Sequence, residues 1–120
     1  MGPLGATVNL GIDVQRRDPW VVLTPLGDLD MGSAPAVRQA IVGAIAAGDT
    51  RLVIDLGSVD FIDSVGLGVI IGARRRARSN GGDVVLARLT ESTRQVFALV
   101  ELDQIFDVTL DVDRAVGQPT

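Results

Sequence analysis

The run Leu52-Val-Ile-Asp-Leu56 does most to restrict what this chain can fold into. A short, nearly continuous apolar segment suits a strand buried at the centre of a sheet. The signals around it alternate between strand and helix from end to end, with no repeat, linker or low-complexity block. That pattern predicts a single α/β domain. The 120 residues fit one domain, and a chain of that size buries roughly two-thirds of its unfolded surface.

The elements follow from punctuation and period. Val8, Leu10, Ile12 and Val14 alternate with polar or small residues, which predicts a strand with one buried face. Asp18-Pro19 reads as a turn, and Trp20 to Leu26 as a second strand paired as an antiparallel hairpin. Pro25 has no ladder donor, so it belongs at an edge or a strand exit. After a loop from Gly27 to Ser33, Ser33 reads as an N-cap with Pro35 just inside a helix. Val37, Ile41, Ala44 and Ile45 form its apolar face, and Gly48 ends it. A second helix begins near Ser64 and ends at Gly81-Gly82. Asp83 to Leu89 reads as a strand, and Thr90 caps a helix whose apolar face includes Val96, Leu99 and Val100. Ile105 to Val108 is expected as a last strand, and Asp111 to Val116 as a final helical turn or two. The sum is a mixed four- to five-stranded sheet packed with about four helices. The domain is expected over residues 8–116, with 1–7 a flexible start and 117–120 a tail.

Composition excludes several chemistries. The chain has no His and no Cys, so Ser-His-Asp and Cys-His nucleophiles, the usual zinc sites and disulfides are all ruled out. The absent cysteines fit a reducing cytoplasm. With 11 basic and 15 acidic residues the net charge is −4, which argues against direct nucleic-acid binding. No apolar run approaches the roughly 18–20 residues that span a bilayer. Met1 to Leu10 lacks a basic stretch before an apolar block, so no signal peptide is read there. Ala6 stands where a myristoylation signal needs a small hydroxyl. A soluble, cytoplasmic protein without a cofactor is expected, in which any chemistry must use carboxylates, hydroxyls, Arg or the backbone.

The loop Val59-Asp-Phe-Ile-Asp-Ser-Val-Gly-Leu-Gly68 concentrates the chemistry. It reads as a strand exit, a tight loop and a helix start. A helix N-terminus exposes unpaired N–H groups and partial positive charge. Ser64 at that point is open to two readings: an N-cap, or a hydroxyl whose phosphate would sit near those N–H groups. Gly66 and Gly68 leave the first turn bare, so a partner's backbone can approach. Ser64 is not in G-x-S-x-G, and no His is present to activate it, so it is not a hydrolase nucleophile. Gly66, Gly68 and Gly72 do not make G-x-G-x-x-G and no P-loop Lys follows, which leaves only a weak nucleotide motif. Asp28, Asp30, Asp60 and Asp63 are either solvated loop residues and caps or, as the minor reading, a Mg²⁺ site.

Asp60-Phe-Ile-Asp-Ser-Val-Gly-Leu-Gly68 resembles the signature of bacterial anti-sigma factor antagonists, members of the STAS domain family. Gly27-Asp-Leu-Asp30 is similar to that family's G-E-[LI]-D segment, with Asp28 in place of Glu. Val96-Phe-Ala-Leu-Val-Glu-Leu-Asp-Gln-Ile-Phe106 is similar to its later L-F-x-L-x-G-L-x-x-[IV]-F stretch, with Glu101 in place of Gly. The resemblance runs from about Val8 to Val116 and implies a STAS-like α/β fold. It also implies that Ser64 is a phosphorylation site; Val65 stands where some members carry a second Ser. By that resemblance the unphosphorylated chain captures an anti-sigma factor that is also a serine kinase, and so frees a sigma factor. Phosphorylation of Ser64 releases the kinase, and a PP2C-type phosphatase resets the switch. Asp28, Asp30, Asp60 and Asp63 would surround the phosphate with like charge.

Three further features bear on partners. Arg74, Arg75, Arg76 and Arg78 form a basic cluster that is either a solvated helix end or a partner-facing patch. Leu67 and Ile71 are candidates for a partly exposed apolar contact beside a core of Val69 and Ile70. Trp20 either packs over the hairpin or anchors a partner. Two other functions remain: a STAS scaffold with no phosphorylation, and a small nucleotide-binding protein.

Overall fold

Leu52, Val53 and Ile54 are fully buried, and the strand they form is, among the described residues, the middle of a five-stranded sheet. In this computed structural model the chain is described over residues 11–118. The elements are β1 (Ile12–Arg17), β2 (Trp20–Pro25), α1 (Ala34–Ala46), β3 (Arg51–Asp55), α2 (Ser64–Ser79), β4 (Asp83–Ala87), α3 (Glu91–Leu99), a 3-10 turn (Leu102–Gln104), β5 (Asp107–Thr109) and α4 (Val112–Val116). The sheet order is β1-β2-β3-β4-β5. Among the described residues β1 and β2 alone pair antiparallel; β2-β3, β3-β4 and β4-β5 are parallel. The expected mixed α/β sheet with four helices is therefore what forms among the described residues. None of these helices is long and apolar enough to cross a membrane.

Alternation along each strand divides the core. Leu23, Leu52, Ile54 and Leu86 face one side, where they meet Val37 and Ile41 of α1, Ile70 and Ala73 of α2 and Phe97 of α3. Val22, Val53 and Val85 face the other side, together with Trp20 and Ala115 of α4. Both faces of β3 are thus covered, which is why its run is almost uninterrupted. Trp20 is buried in this second cluster, under α4 rather than over the hairpin, and so cannot anchor a partner.

Several local expectations shift. Val8 and Leu10 lie outside the described residues. Ile12 is buried, but Val14 is 51% exposed; among the described residues β1 has a paired strand on one side only. Pro25 closes β2 beyond its last pairing with β3, a strand exit as expected. Ser33 occupies the N-cap position of α1 but does not cap it; its hydroxyl instead donates to the Asp28 carbonyl at 2.7 Å. On α3 the buried side chains are Thr93 and Phe97, while Leu99 is 85% exposed and Val100 is exposed too. The last strand begins at Asp107 rather than Ile105. The 3-10 turn intervenes, and Phe106 enters the core edge-on to Phe97 with ring centroids 6.3 Å apart.

Glu101 sits just past α3 with φ 62°, in the left-handed region. A side chain there costs about 1–2 kcal/mol, which glycine avoids. The Gly that the resembled motif carries at this position thus has a conformational reason. Glu101→Gly is expected to stabilise the domain by about 1 kcal/mol. Urea unfolding would show a higher midpoint with an unchanged slope.

Candidate functional site

The segment leading to α2 is anchored at both ends. At the end of β3, Asp55 is only 5% exposed, and a buried carboxylate needs partners. Arg88, at the end of β4, supplies a bidentate pair: Nε donates to Oδ1 at 2.9 Å and Nη2 to Oδ2 at 3.1 Å. The Gly57 N–H donates to the same Oδ1 at 3.0 Å. The hydrogen bond and charge of Asp55 hold the Arg88 pKa above its ordinary value. Farther along, the Thr90 hydroxyl donates to the Val59 carbonyl at 2.8 Å.

The second half of the loop turns back across the sheet end. Ile62 bridges to Leu29 in parallel, and the Leu29 N–H donates to the Phe61 carbonyl at 3.0 Å. Asp63 then caps α2 in an extended conformation: its Oδ1 accepts from the Gly66 N–H at 2.9 Å and its Oδ2 from the Met31 N–H at 3.1 Å. The cap of α2 is therefore Asp63 and not Ser64. Two acceptor oxygens serve both the helix and the neighbouring loop, and a negative charge suits the helix N-terminus. Ser64 becomes the first helical residue and is exposed, and its hydroxyl has no hydrogen bond among the described residues.

The two glycines have different duties. A Cβ on Gly66 would lie 2.3 Å from the Leu29 carbonyl oxygen, so here the backbone that comes close is the chain's own. Gly68 is exposed with open space over it, and of the two it alone leaves the helix surface bare. Gly66→Ala is expected to cost about 1–3 kcal/mol by overpacking. Gly68→Ala, free of contact, is expected to gain up to about 1 kcal/mol from helix propensity. Denaturant unfolding of the two variants would separate these signs.

The aspartates do not form one group. Asp30 accepts from the Gly32 and Ser33 N–H groups at 2.9 and 3.1 Å, which shapes the loop before α1. Asp28 and Asp60 are exposed. Among the described residues no cluster of three acids is disposed to hold a metal ion. Leu67 packs partly against the core, whereas Ile71 and Arg75 are exposed farther along α2. Arg74 is partly buried, with its guanidinium over the Phe106 ring at 5.8 Å.

Two features were not read from the sequence. Met31 is 70% and Phe61 is 54% exposed, and both adjoin the Asp63 cap along the backbone. Nothing in their spacing separates them from core residues. The Asp55–Arg88 pair did leave a signal: an acid inside an apolar strand is almost never buried unless paired.

Residues 11–115 match the STAS domain family model. The chain is 30% identical over 102 residues to the anti-sigma-B factor antagonist of Bacillus subtilis, covering 85% of this chain and 93% of that protein. A crystallised candidate anti-sigma factor antagonist from Thermotoga maritima superposes with a TM-score of 0.84 at 25% identity, over 90% of this chain and 93% of that one. SpoIIAA of Bacillus, solved in its phosphorylated form, shares the fold at 23% identity with a TM-score of 0.71, over 88% and 96% of the two chains. A parallel sheet with an antiparallel first hairpin, an Asp-capped second helix and a matching family model lead to one conclusion: the chain belongs to the STAS domain family, alongside the anti-sigma factor antagonists.

Proposed function

We propose that this chain is a non-enzymatic antagonist that captures an anti-sigma factor with serine kinase activity, and that phosphorylation of Ser64 ends the capture. The observation that carries this reading is the exposed Ser64 hydroxyl, set one residue beyond a cap that already holds the Gly66 N–H. A phosphate at Ser64 would find that donor occupied by Asp63. Its charge of about −1.5 to −2 would stand on the surface beside Asp63, with Asp28, Asp30 and Asp60 in the adjoining loops. The net charge would move from −4 to about −6. Like charge forced into an interface costs several kcal/mol, and about 1.4 kcal/mol is one decade in affinity. Repulsion and bulk at one point therefore suffice to end binding without refolding.

Gly68 supports the same reading by leaving room over the first turns of α2, and Met31 and Phe61 offer apolar surface near the Asp63 cap. A PP2C-type phosphatase would restore the free hydroxyl. The antagonist relatives are named for the anti-sigma factors they oppose, which suggests the partner class and a cytoplasmic setting.

The test is capture of the cognate anti-sigma factor kinase by Ser64→Ala and Ser64→Glu variants. Ser64→Ala is expected to bind within threefold of the natural chain, and Ser64→Glu at least tenfold more weakly. With ATP, mass spectrometry should find one added phosphate on the natural chain and none on Ser64→Ala. Equal capture by both variants, or a phosphate elsewhere, would sink the reading in favour of an unphosphorylated scaffold.

A further inference from the structure

A half-open groove with a cavity volume of about 470 Å³ lies between the second half of α2 and the 3-10 turn. Its apolar lining is Ile71, Leu102, Ile105 and Phe106, and its basic lining is Arg74, Arg75 and Arg78. Among the described residues no acidic side chain lines it. Arg78 is tied at its outer edge to Asp83 at 3.4 Å, while Arg74 and Arg75 have no carboxylate within ion-pair distance among the described residues. Three arginines gathered over an apolar trough are unusual on a chain whose net charge is −4. Ile105 is 51% exposed, and Leu99 and Val100 just before the turn are exposed as well.

The groove is continuous with the Ser64 surface. Ser64, Gly68, Ile71 and Arg75 recur at i, i+4, i+7 and i+11, so they lie along one line of α2, and all four are exposed. That line is about 16 Å long. It starts among the aspartates around Ser64 and ends at the arginines. An exposed apolar patch rimmed by polar residues marks an interaction surface. A small ligand is held by enclosure on most sides, which this groove does not provide.

We infer that the groove is a second docking point for the same partner, and that its occupant is an acidic, amphipathic segment of that partner laid along α2. This rests on the reading of the Ser64 surface as partner-facing. The carboxylates of the segment would meet Arg75 and Arg74 while its apolar side chains fill the trough over Ile71 and Ile105. Opposite charge at the two ends of one line fixes the direction in which the segment lies. The groove is far enough from Ser64 for its contribution to be nearly additive with the phosphate's. Phosphorylation would then release one end of the partner and leave a weaker contact at the other.

Affinity for the anti-sigma factor would be measured for Arg75→Glu combined with Ile105→Ser, in both Ser64→Ala and Ser64→Glu backgrounds. Arg114→Glu on α4, on the opposite face of the sheet, is the control. The groove pair is expected to weaken binding at least tenfold, by the same factor within about threefold in the two backgrounds, while the control stays unchanged. Arg75→Gln with Ile105 intact is expected to fall in between, which guards against misfolding of the pair. Wild-type affinity in the groove variants would overturn the inference even where Ser64→Glu fails to bind. Groove variants that weaken binding while Ser64→Ala and Ser64→Glu bind alike would uphold the groove and reject the Ser64 switch. Saturable binding of decanoate by the natural chain, with partner affinity indifferent to the groove, would assign the trough to a small amphipathic anion and also overturn it.

Discussion

The carboxylate of Asp63 is the contact on which the candidate site depends. One oxygen holds the Gly66 N–H and the other the Met31 N–H, so a single side chain starts α2 and ties it to the loop after β2. Burial of Gly66 against the Leu29 carbonyl completes the joint. Ser64 gains its position from these constraints and contributes none of them. A residue that is placed by others and bears no structural duty can be modified without cost to the fold. That separation is what the proposed switch requires: a change of affinity that leaves the domain intact.

The Asp55–Arg88 pair performs a related task one step earlier. The sheet delivers the chain to its carboxyl end at Asp55, and Arg88 and the Gly57 N–H fix the direction in which it leaves. Open α/β sheets present their loops at the carboxyl ends of parallel strands, and the candidate site lies there. Function is argued here from the site, because the fold alone would equally suit a scaffold.

Much of the architecture was legible because period and punctuation agree. Leu52 to Leu56 announced the central strand, the hairpin at Asp18-Pro19 formed, and Thr90 and Asp111 cap α3 and α4. The misreadings share one cause: the sequence shows that a residue is apolar or polar but not which neighbour reaches it first. Ser33 and Ser64 are both good caps by type, yet nearby Asp30 and Asp63 take the N–H groups at those two loop ends. Leu99 fits the period of α3, but that helix ends there, and the side chains that return to the core are Leu102 and Phe106 beyond the turn at Glu101. The groove behind α2 could not be read at all, since Ile71 and Ile105 are brought together only by the tertiary fold.

The central claim is that charge added at Ser64 switches binding while the domain keeps its structure. Amide spectra of the chain before and after treatment with the kinase and ATP test this most directly. The account predicts shifts confined to residues 28–33 and 60–68, with β3 and β4 unmoved and partner affinity reduced. Shifts spread through Leu52, Ile54 and Leu86 would mean that the phosphate acts by rearranging the core, and would contradict it.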